Sequence, residues 1–454
     1  MVKVTHFEVF VLNYNGSPYL EECLDSLYSL ERGDATFTIN VVDNCSTDNS
    51  LDILGKLSIP FNLFLSKKNL GFSKGNNFGV RERLAQIKRE GDKEPDVYVF
   101  LNNDTVVAKD WLIAVDEVFR ANPEVGIVGS KSIFYSPYLV FSFSLVPDEN
   151  VKEKSLFLEM PLEGKNVFTS PPRVKMKNKP IAPVGPVSLE EDSLFFVPVC
   201  KPKEEAELVF VLRNPLLTGI NVSIFLNTVN GKEKVCSVWL APNDIRWLPF
   251  KFKPYNYSFL IQNAGSFVRA NCDAGDRGYL EIDCGQYNCT EEVKAICGVS
   301  MFIRAELFNR LNGFDEMYFA YFEDTDLSLR SQIEGMKCVY TGNSVLFHHH
   351  CGGSGEFSEY FWKNVIQSQL IISSKFMREE KWKEKVAFYQ SHYMREREQY
   401  KIDRTYSGKH YLRAFEFYLK HKKYFERNRL YHRKFNTSRL IEEETSNQGT
   451  NVNL

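Results

Sequence analysis

The stretch FEVFVLNYNG, residues 7–16, sets the pattern from which the fold can be predicted. Residues 7–13 are rich in β-branched and aromatic side chains and run into an Asn-Tyr-Asn-Gly turn, as expected of a strand followed by a loop. Residues 18–30 then carry apolar side chains at helical spacing. The chain therefore begins with a strand, a polar turn and a helix.

The same unit recurs along the next hundred residues. Strands are predicted at residues 37–42, 61–65 and 97–101, and helices are predicted from Leu51, over residues 80–89 and from Trp111. Strands that alternate with helices indicate a mostly parallel, Rossmann-like sheet with helices on both faces. The pattern returns at residues 295–302, so we expect an α/β domain that is interrupted and then completed.

Composition limits the class of protein. The length of 454 residues indicates two or three domains. The content of 43% apolar and 25% charged residues is typical of a soluble globular protein. A formal net charge of −2 gives no reason to expect nucleic acid as a partner. No apolar run reaches the roughly 18 residues that span a bilayer. We therefore expect a cytoplasmic protein without a signal peptide or a membrane span.

The middle of the chain is different in character. Short alternating runs such as SLFFVPV (193–199) and AELVFVLRN (206–214) are separated by Pro and turn residues, which predicts an all-β insert of the β-sandwich type. Trp239 and Trp247 could serve a carbohydrate-binding surface, although packing in the core is the simpler expectation. The predicted division is an α/β half over residues 1–136, the insert over 137–257, a second α/β half over 258–374, and a helical C-terminal region over 375–454 with a flexible end.

The C-terminal region is basic. Residues 375–439 hold 19 Lys and Arg against 8 Asp and Glu, with Tyr and Phe between them. Such a segment can form a peripheral membrane surface that attracts anionic lipid, or simply a solvated helical bundle. The absence of a clean hydrophobic face favours the bundle.

Polar residues follow the predicted strands, where open α/β sheets bind ligands. Asp43 could hydrogen-bond a ribose or a base N–H, or it could cap the next helix. Residues 69–79, NLGFSKGNNFG, place glycines before a predicted helix and suit a close approach of the backbone to phosphate. Asp104, in Asn102-Asn103-Asp104, is placed to hold a hard divalent cation or to close an Asx turn.

A run of three histidines, His348, His349 and His350, follows a late strand. Alternation sends neighbouring side chains to opposite faces, so a three-ligand zinc site within the run is not expected. One of the three could join Asp104 on Mn²⁺ or Mg²⁺. A cluster at the surface or at the edge of the core is the alternative.

The stretch GFDEMYFAYFEDTDLSLR, residues 313–330, sets Asp315, Glu323, Asp324 and Asp326 among aromatic side chains. Buried carboxylates must be paired, bound to metal or shifted in pKa. One interpretation is a helix N-terminus with Asp324 as the N-cap. The other is a catalytic base held rigidly by that helix.

The motifs together resemble glycosyltransferase family 2, in its rhamnosyltransferase-like branch with the GT-A fold. The resemblance covers about residues 7–135 and 259–360. It is carried by the order of VLNYNG, VVDNCSTDNS, NLGFSKGNNFG, FLNNDTVV, IQNAG, CGQYN, the stretch from Cys297 to Arg330, and FHHHCGGS. The insert is a departure, because close relatives have a short loop in its place.

The resemblance implies a role for each matching residue. As nucleotide-sugar-binding residues it implies Asn13, Asn15, Asp43, Asn69, Gly71, Phe72, Gly75, Asn76, Asn102 and Asn103. As metal ligands it implies Asp104, the last acid of a DxD motif whose first acid is here Asn102, and His348. As catalytic residues it implies Asp324, the base, with Glu323 beside it. Asp315, Glu323 and Asp326 are expected to shape the acceptor side or to cap the helix.

The activity implied is inverting transfer of a sugar, rhamnose being one option, from a UDP- or dTDP-sugar to a hydroxyl of a glycan or lipid-linked glycan. Mn²⁺ or Mg²⁺ is the implied cofactor. A carbohydrate-binding or scaffold protein with a decayed site is the alternative from another class. A nucleotidyltransferase is disfavoured because no dedicated triphosphate loop is present.

Overall fold

The structure is a computed structural model that describes residues 5–148, 156–158, 163–167, 173–176, 179–181, 187–190, 193–350, 358–403, 409–435 and 437–442. The end of the FHHHCGGS motif and the predicted flexible C-terminus lie outside these residues. The chain divides into two compact units. The first contains the described residues within 1–133, 262–279 and 287–448, and the second contains those within 134–261 and 280–286.

The N-terminal part of the first unit alternates strands and helices as predicted. Its elements are β1 (His6–Asn13), α1 (Leu20–Tyr28), β2 (Thr36–Asp43), α2 (Ser50–Leu54), β3 (Asn62–Leu65), α3 (Gly71–Glu90), β4 (Val97–Asn102), β5 (Thr105–Val107), α4 (Trp111–Ala121) and β6 (Val125–Phe134). Strands β3, β2, β1 and β4 are neighbours in that order and run parallel. Their carboxyl ends therefore share one edge of the sheet.

The second unit is all β. Its strands are β7 (Tyr138–Pro147), β8 (Leu156–Leu158), β9 (Glu163–Lys165), β10 (Arg173–Met176), β11 (Lys179–Ile181), β12 (Val187–Leu189), β13 (Leu194–Pro198), β14 (Ala206–Arg213), β15 (Ile220–Thr228), β16 (Gly231–Leu240) and β17 (Ile245–Phe252). They form two sheets around one apolar core. Trp239 and Trp247 are 47% and 60% exposed, so the expectation that they pack in the core is wrong.

The remaining elements complete the chain after a short 3-10 turn, Pro254–Asn256. They are β18 (Ile261–Asn263), β19 (Ser266–Val268), β20 (Ala274–Asp276), β21 (Thr290–Glu292), β22 (Ser300–Arg304), α5 (Ala305–Arg310), α6 (Glu323–Ile333), β23 (Lys337–His348), α7 (Glu359–Phe376), α8 (Glu379–Ile402), α9 (His410–Lys420), α10 (Lys422–Phe435) and α11 (Arg439–Glu442). Strand β22 pairs antiparallel with β4 and extends the parallel sheet. The predicted α/β fold with an all-β insert and C-terminal helices is confirmed.

The C-terminal helices belong to the same compact unit as the α/β sheet. Aromatic and aliphatic side chains of α7 to α10, among them Trp382, Tyr389 and Phe425, share a buried core with Tyr318 and Leu329 near and within α6. In the described part of the chain, no helix is long and apolar enough to cross a bilayer.

Helix α3 begins earlier than the sequence predicted. The glycine-rich residues 71–79 form its first turns and do not precede the helix as a loop. Glycine disfavours helix interiors, which is why the sequence pattern predicts a loop here. A Cβ on Gly75 would lie 2.7 Å from Leu12 and one on Gly79 would lie 2.5 Å from Val42, so these glycines let α3 lie close against the sheet.

A buried ion pair joins α3 to β1. Glu8 is fully buried, and its Oε1 accepts a hydrogen bond of 3.0 Å from Arg83 Nε, while its Oε2 accepts one of 2.6 Å from Asn40. Burial raises the pKa of Glu8, but hydrogen bonds from His6 and Arg83 outweigh it and the net pKa is lowered. The carboxylate is therefore held in its charged form.

Arg83→Met should destabilise the first unit by about 3–5 kcal/mol, because it leaves a buried carboxylate without its cation. Urea unfolding at pH 7.5, followed by circular dichroism, measures the loss. Arg81→Met is the matched control on the same helix, since Arg81 is 60% exposed and its ion pair with Glu316 should contribute less than about 1 kcal/mol. Equal small losses in both variants would contradict the role given to Arg83.

Candidate active site

Side chains from three strand ends meet at the carboxyl edge of the sheet. Asn13 lies beside Asp43 in the register of β1 and β2. The Asn13 amide nitrogen donates to Asp43 Oδ2 over 3.1 Å, and its amide oxygen accepts a 2.7 Å hydrogen bond from Asn103. The convergence of these three predicted residues follows from the parallel strands.

The turn after β1 is fixed by the turn after β2. Asp43 Oδ1 accepts from the backbone N–H of Ser46 at 3.0 Å, and the Ser46 hydroxyl accepts from the backbone N–H of Asn15. Asn15 itself has a left-handed backbone, with φ of 53°. Asp43 thus closes the local turn and lies at the sheet edge. It does not cap the next helix, because α2 begins at Ser50 with Asn49 in the cap position.

Asn44 is a residue that the sequence reasoning missed. Its side chain donates to Asn69 Oδ1 at 3.1 Å and to the Gly71 carbonyl at 3.2 Å, and it accepts from the backbone N–H of Leu70 at 2.8 Å. These bonds hold the entry of α3 against the end of β2. Its position directly after Asp43 was the available signal.

The start of α3 touches the aromatic stretch that precedes α6. The backbone N–H of Phe72 donates to the Phe319 carbonyl at 2.7 Å, and a Cβ on Gly71 would collide with that same carbonyl. Gly71 has φ of 73°, which also favours glycine. The nucleotide segment predicted at residues 69–76 therefore lies beside the stretch that carries Asp324.

Not every predicted residue of this segment points outward. The Asn76 side chain donates to the Phe72 carbonyl of its own helix, and the residue is 1% exposed. Gly75 packs on the sheet, as described above. Asn102 ends β4, where its carbonyl accepts a hydrogen bond from the Thr105 hydroxyl. The local contacts of Asn76 and Gly75 therefore support the position of helix α3.

Helix α6 starts from an unusual backbone. Tyr321 and Phe322 have φ values of 68° and 67° in succession. Left-handed backbone costs non-glycine residues of order 1–2 kcal/mol each, so the surrounding packing must maintain it. The helix then begins at Glu323, with Phe322 in the cap position, so the prediction that Asp324 is the N-cap is wrong.

Asp324 is held by three hydrogen-bond donors. Its Oδ2 accepts from the Gly298 backbone N–H at 2.7 Å, and its Oδ1 accepts from the backbone N–H of Thr325 at 2.6 Å and from the Thr325 hydroxyl at 3.2 Å. Burial raises the pKa of this carboxyl, and these hydrogen bonds only partly oppose the shift. A fixed carboxylate with a raised pKa is suited to accept a proton.

Glu323 is 5% exposed, and its Oε2 is a buried oxygen without a hydrogen-bond partner in the described part of the chain. Burial, together with the charge of Asp324, raises the pKa of Glu323 well above its ordinary value. The neutral acid is thereby favoured beside a charged Asp324.

Asp315 and Asp326 share a lysine that the sequence reasoning did not predict. Lys375 of α7 places its Nζ 2.6 Å from a carboxylate oxygen of each, and Asp326 also accepts from Arg330 at 2.7 Å. The Tyr424 hydroxyl donates to Asp315 over 2.7 Å. Both carboxylates therefore anchor α6 to the C-terminal helices; neither serves as a helix cap.

Asp104 and His348 lie together, as the metal prediction required. His348 Nε2 is 3.1 Å from Asp104 Oδ1, and His348 Nδ1 is 3.1 Å from the Gln262 side-chain oxygen. An imidazole nitrogen and a carboxylate oxygen that face each other at this distance are both donors that a divalent metal accepts, so the pair fits such an ion.

The side chains of the other two histidines have different partners. His349 stacks on Tyr19 with ring centroids 4.6 Å apart, and its Nε2 is 3.5 Å from Glu22. The His350 ring packs against His348 and Tyr279. No group of three or more His, Cys, Asp or Glu arranged to hold a metal occurs among the described residues. A metal at Asp104 and His348 would therefore complete its coordination with other donors.

Asp276, at the end of β20, was also missed. Its Oδ1 accepts from Asn263 Nδ2 at 2.5 Å, and burial raises its pKa to about 6. The charge of Asp324 contributes to this increase, whereas hydrogen bonds from Asn263 and Ser266 and the charge of His348 oppose it. Asp276 therefore lies within electrostatic range of both the candidate base and the candidate metal pair.

Asp276→Asn should remove a pH-dependent loss of stability. In the folded chain the Asp276 carboxyl keeps its proton up to about pH 6, whereas the unfolded chain releases it near pH 4, so the native state binds more protons between these values and stability falls as the pH rises. The variant should gain about 2 kcal/mol relative to wild type between pH 4 and pH 6. Urea unfolding in EDTA across this pH range measures the difference in stability between the variant and wild type. A difference that stayed constant with pH would contradict the raised pKa of Asp276.

These features define an α/β protein with acidic groups and an Asp–His pair at the carboxyl edge of a parallel sheet. Residues 8–153 match the model of Glycosyl transferase family 2. The resemblance carried by the sequence motifs is thus confirmed over this part of the chain.

Two curated relatives share part of the chain. The poly(ribitol-phosphate) beta-N-acetylglucosaminyltransferase TarS of Staphylococcus aureus is 26% identical over 171 residues, which are 32% of this chain and 29% of TarS. An N-acetylglucosaminyl-diphospho-decaprenol L-rhamnosyltransferase of Mycobacterium tuberculosis is 35% identical over 60 residues, 13% of this chain and 20% of that protein. The chain thus matches less than a third of the length of either relative.

A crystal structure of S. aureus TarS residues 1–349 in complex with UDP is similar at 12% identity, with a TM-score of 0.35. The alignment covers 81% of this chain and 65% of that structure.

Proposed function

We propose that the chain is an inverting glycosyltransferase that moves a sugar from a UDP- or dTDP-sugar to a hydroxyl of a glycan or lipid-linked glycan. The family match and the two curated relatives, both glycosyltransferases by name, support sugar transfer in general. The observation that carries the proposal is geometric: Asp324 Oδ2 accepts from the Gly298 N–H, and the adjacent Val299 carbonyl accepts from the N–H of Asn102, two residues before Asp104. This supports a candidate base and a candidate metal pair at one site.

The donor would bind at the strand ends. Asp43, fixed by Asn13 and by the Ser46 turn, would accept a hydrogen bond from an N–H of the nucleotide base. Asn103 and the α3 entry at Asn69 would line the sugar-nucleotide path. A divalent ion at Asp104 and His348 would, when bound, offset negative charge on the leaving diphosphate.

Asp324 would take the proton from the acceptor hydroxyl as that oxygen attacks the anomeric carbon. The Gly298 and Thr325 donors hold the carboxylate in one orientation. Less entropy is therefore lost when the base and the acceptor hydroxyl are aligned for reaction. Its raised pKa makes it a stronger base than an exposed Asp. Glu323, favoured as the neutral acid, would leave Asp324 as the charged partner.

Asp324→Asn tests the base assignment. The amide keeps the shape of the side chain but accepts no proton, so donor affinity should stay within about twofold while release of nucleoside diphosphate falls at least about 100-fold. Calorimetry with UDP-sugars and dTDP-sugars measures affinity, and a coupled assay with Mn²⁺ measures release. Glu306→Gln, at a carboxylate 91% exposed on α5, is the control. Retained turnover in Asp324→Asn would sink the assignment.

His348→Ala tests the metal pair. Loss of one ligand should raise the Mn²⁺ concentration for half-maximal donor hydrolysis by about tenfold or more. His349→Ala is the matched control, since that ring faces Tyr19 and Glu22, and it should change the Mn²⁺ requirement by less than about threefold. If His349→Ala raised the Mn²⁺ requirement more than His348→Ala did, the metal ligand would be His349.

A further inference from the structure

A large basic cavity lies in the first unit, apart from the strand-end site. It has a volume of about 950 Å³ and lies between the segment 312–317, the end of α7 and the junction of α9 with α10. Ligand pockets commonly hold roughly 300–1,000 Å³, so this cavity is large enough for more than a single ion. Neither the motifs nor the proposed transfer reaction uses it.

Four exposed cations line the cavity, namely Lys420, Lys422, Lys423 and Arg427. Within the described part of the chain, none of them forms an ion pair with a carboxylate. The Arg427 guanidinium instead lies over the Tyr424 ring, 5.8 Å from its centroid. Like charges that line one cavity repel one another, and an anion bound among them would reduce that repulsion.

The carboxylates that line the cavity are already neutralised. Asp315 receives Lys375 Nζ at 2.6 Å and the Tyr424 hydroxyl at 2.7 Å. Glu316 pairs with Arg81 at 3.1 Å. The lysines and Arg427 therefore remain as surplus positive charge toward a ligand.

The cavity is distinct from the candidate catalytic carboxylate. Its floor includes Lys375, which binds Asp326, whereas Asp324 is bound by the Gly298 N–H. Residues two apart on a helix point to different sides of it. A ligand on the Lys375 side of α6 would thus not contact the Asp324 carboxylate.

We propose that this cavity binds the phosphate groups of a ligand of the diphosphate or phosphodiester class. Lysine ammonium groups are point charges suited to phosphate. With four cations and no free carboxylate among the described lining residues, the site favours more than one phosphate. The rings of Tyr424 and Tyr431 give one wall apolar surface for the carbon skeleton between phosphates.

The test compares two triple variants of the full chain with equal loss of charge. Lys420→Gln/Lys422→Gln/Lys423→Gln changes the cavity, and Lys56→Gln/Lys88→Gln/Lys383→Gln changes exposed lysines elsewhere. Calorimetry at 50 mM NaCl with inorganic pyrophosphate and with linear polyphosphate measures binding. The cavity variant should lose at least tenfold in affinity for polyphosphate, and the control should stay within about twofold of wild type. Thermal unfolding confirms that both variants are folded.

A second arm distinguishes the source of the phosphate. Flotation with phosphatidylglycerol vesicles detects a lipid headgroup, whereas the calorimetry detects a soluble ligand, and loss confined to the cavity variant in either arm supports the phosphate site. If phosphate bound only at the strand-end site, neither variant would lose affinity, and this result would count against the proposal. Equal affinity of the two variants in both arms, or no binding by wild type in either, would overturn the proposal.

Discussion

The arrangement of the first unit depends on the contacts of the buried ammonium of Lys375. This ammonium lies 2.6 Å from a carboxylate oxygen of Asp315 and 2.6 Å from one of Asp326, and the Asp326 side chain is fully buried. Removing one partner from such a cluster leaves uncompensated buried charge, at a cost of several kcal/mol. Burial raises the pKa of Asp315, but the charge and hydrogen bonds of Lys375 outweigh it and hold that pKa well below its ordinary value. Lys375 therefore ties α7 to both ends of the segment that presents Asp324.

This contact explains why the C-terminal helices and the α/β sheet form one compact unit. The strained backbone at Tyr321 and Phe322 turns the chain into α6, and the Lys375 cluster holds the helix once it has turned. On the other side of the same stretch, the Phe319 carbonyl receives the Phe72 N–H at the start of α3. Residues 315–326 thus connect the strand-end site to the C-terminal helices, and the basic cavity lies at the far end of that connection.

Much of this could be predicted from the sequence, because parallel strands bring their carboxyl ends together whatever the details of packing. Asp43, Asn13 and Asn103 meet for this reason. The Asp104 and His348 pair was predicted from family motifs. The start of α3 was predicted wrongly, since glycine propensity opposes a helix and only the nearby sheet explains residues 71–79.

Other features depend on contacts between distant parts of the chain. The pairing of Lys375 with Asp315 and Asp326 joins residues 60 and 49 apart in sequence. Neither periodicity nor spacing indicates such a pair, so the sequence alone does not predict it. The same holds for Asp276, whose pKa depends on burial and on the charges of Asp324 and His348. Exposure of Trp239 and Trp247 was misjudged because β-strand alternation does not show which face lies outward.

The most direct test of the proposed transferase site is a crystal of the protein soaked with UDP and Mn²⁺, with anomalous data collected at the manganese edge. The account predicts an anomalous peak in contact with Asp104 and His348 Nε2, the diphosphate next to that peak and the uracil ring hydrogen-bonded to Asp43. Nucleotide bound away from the ends of β1, β2 and β4, or manganese bound without Asp104, would contradict it.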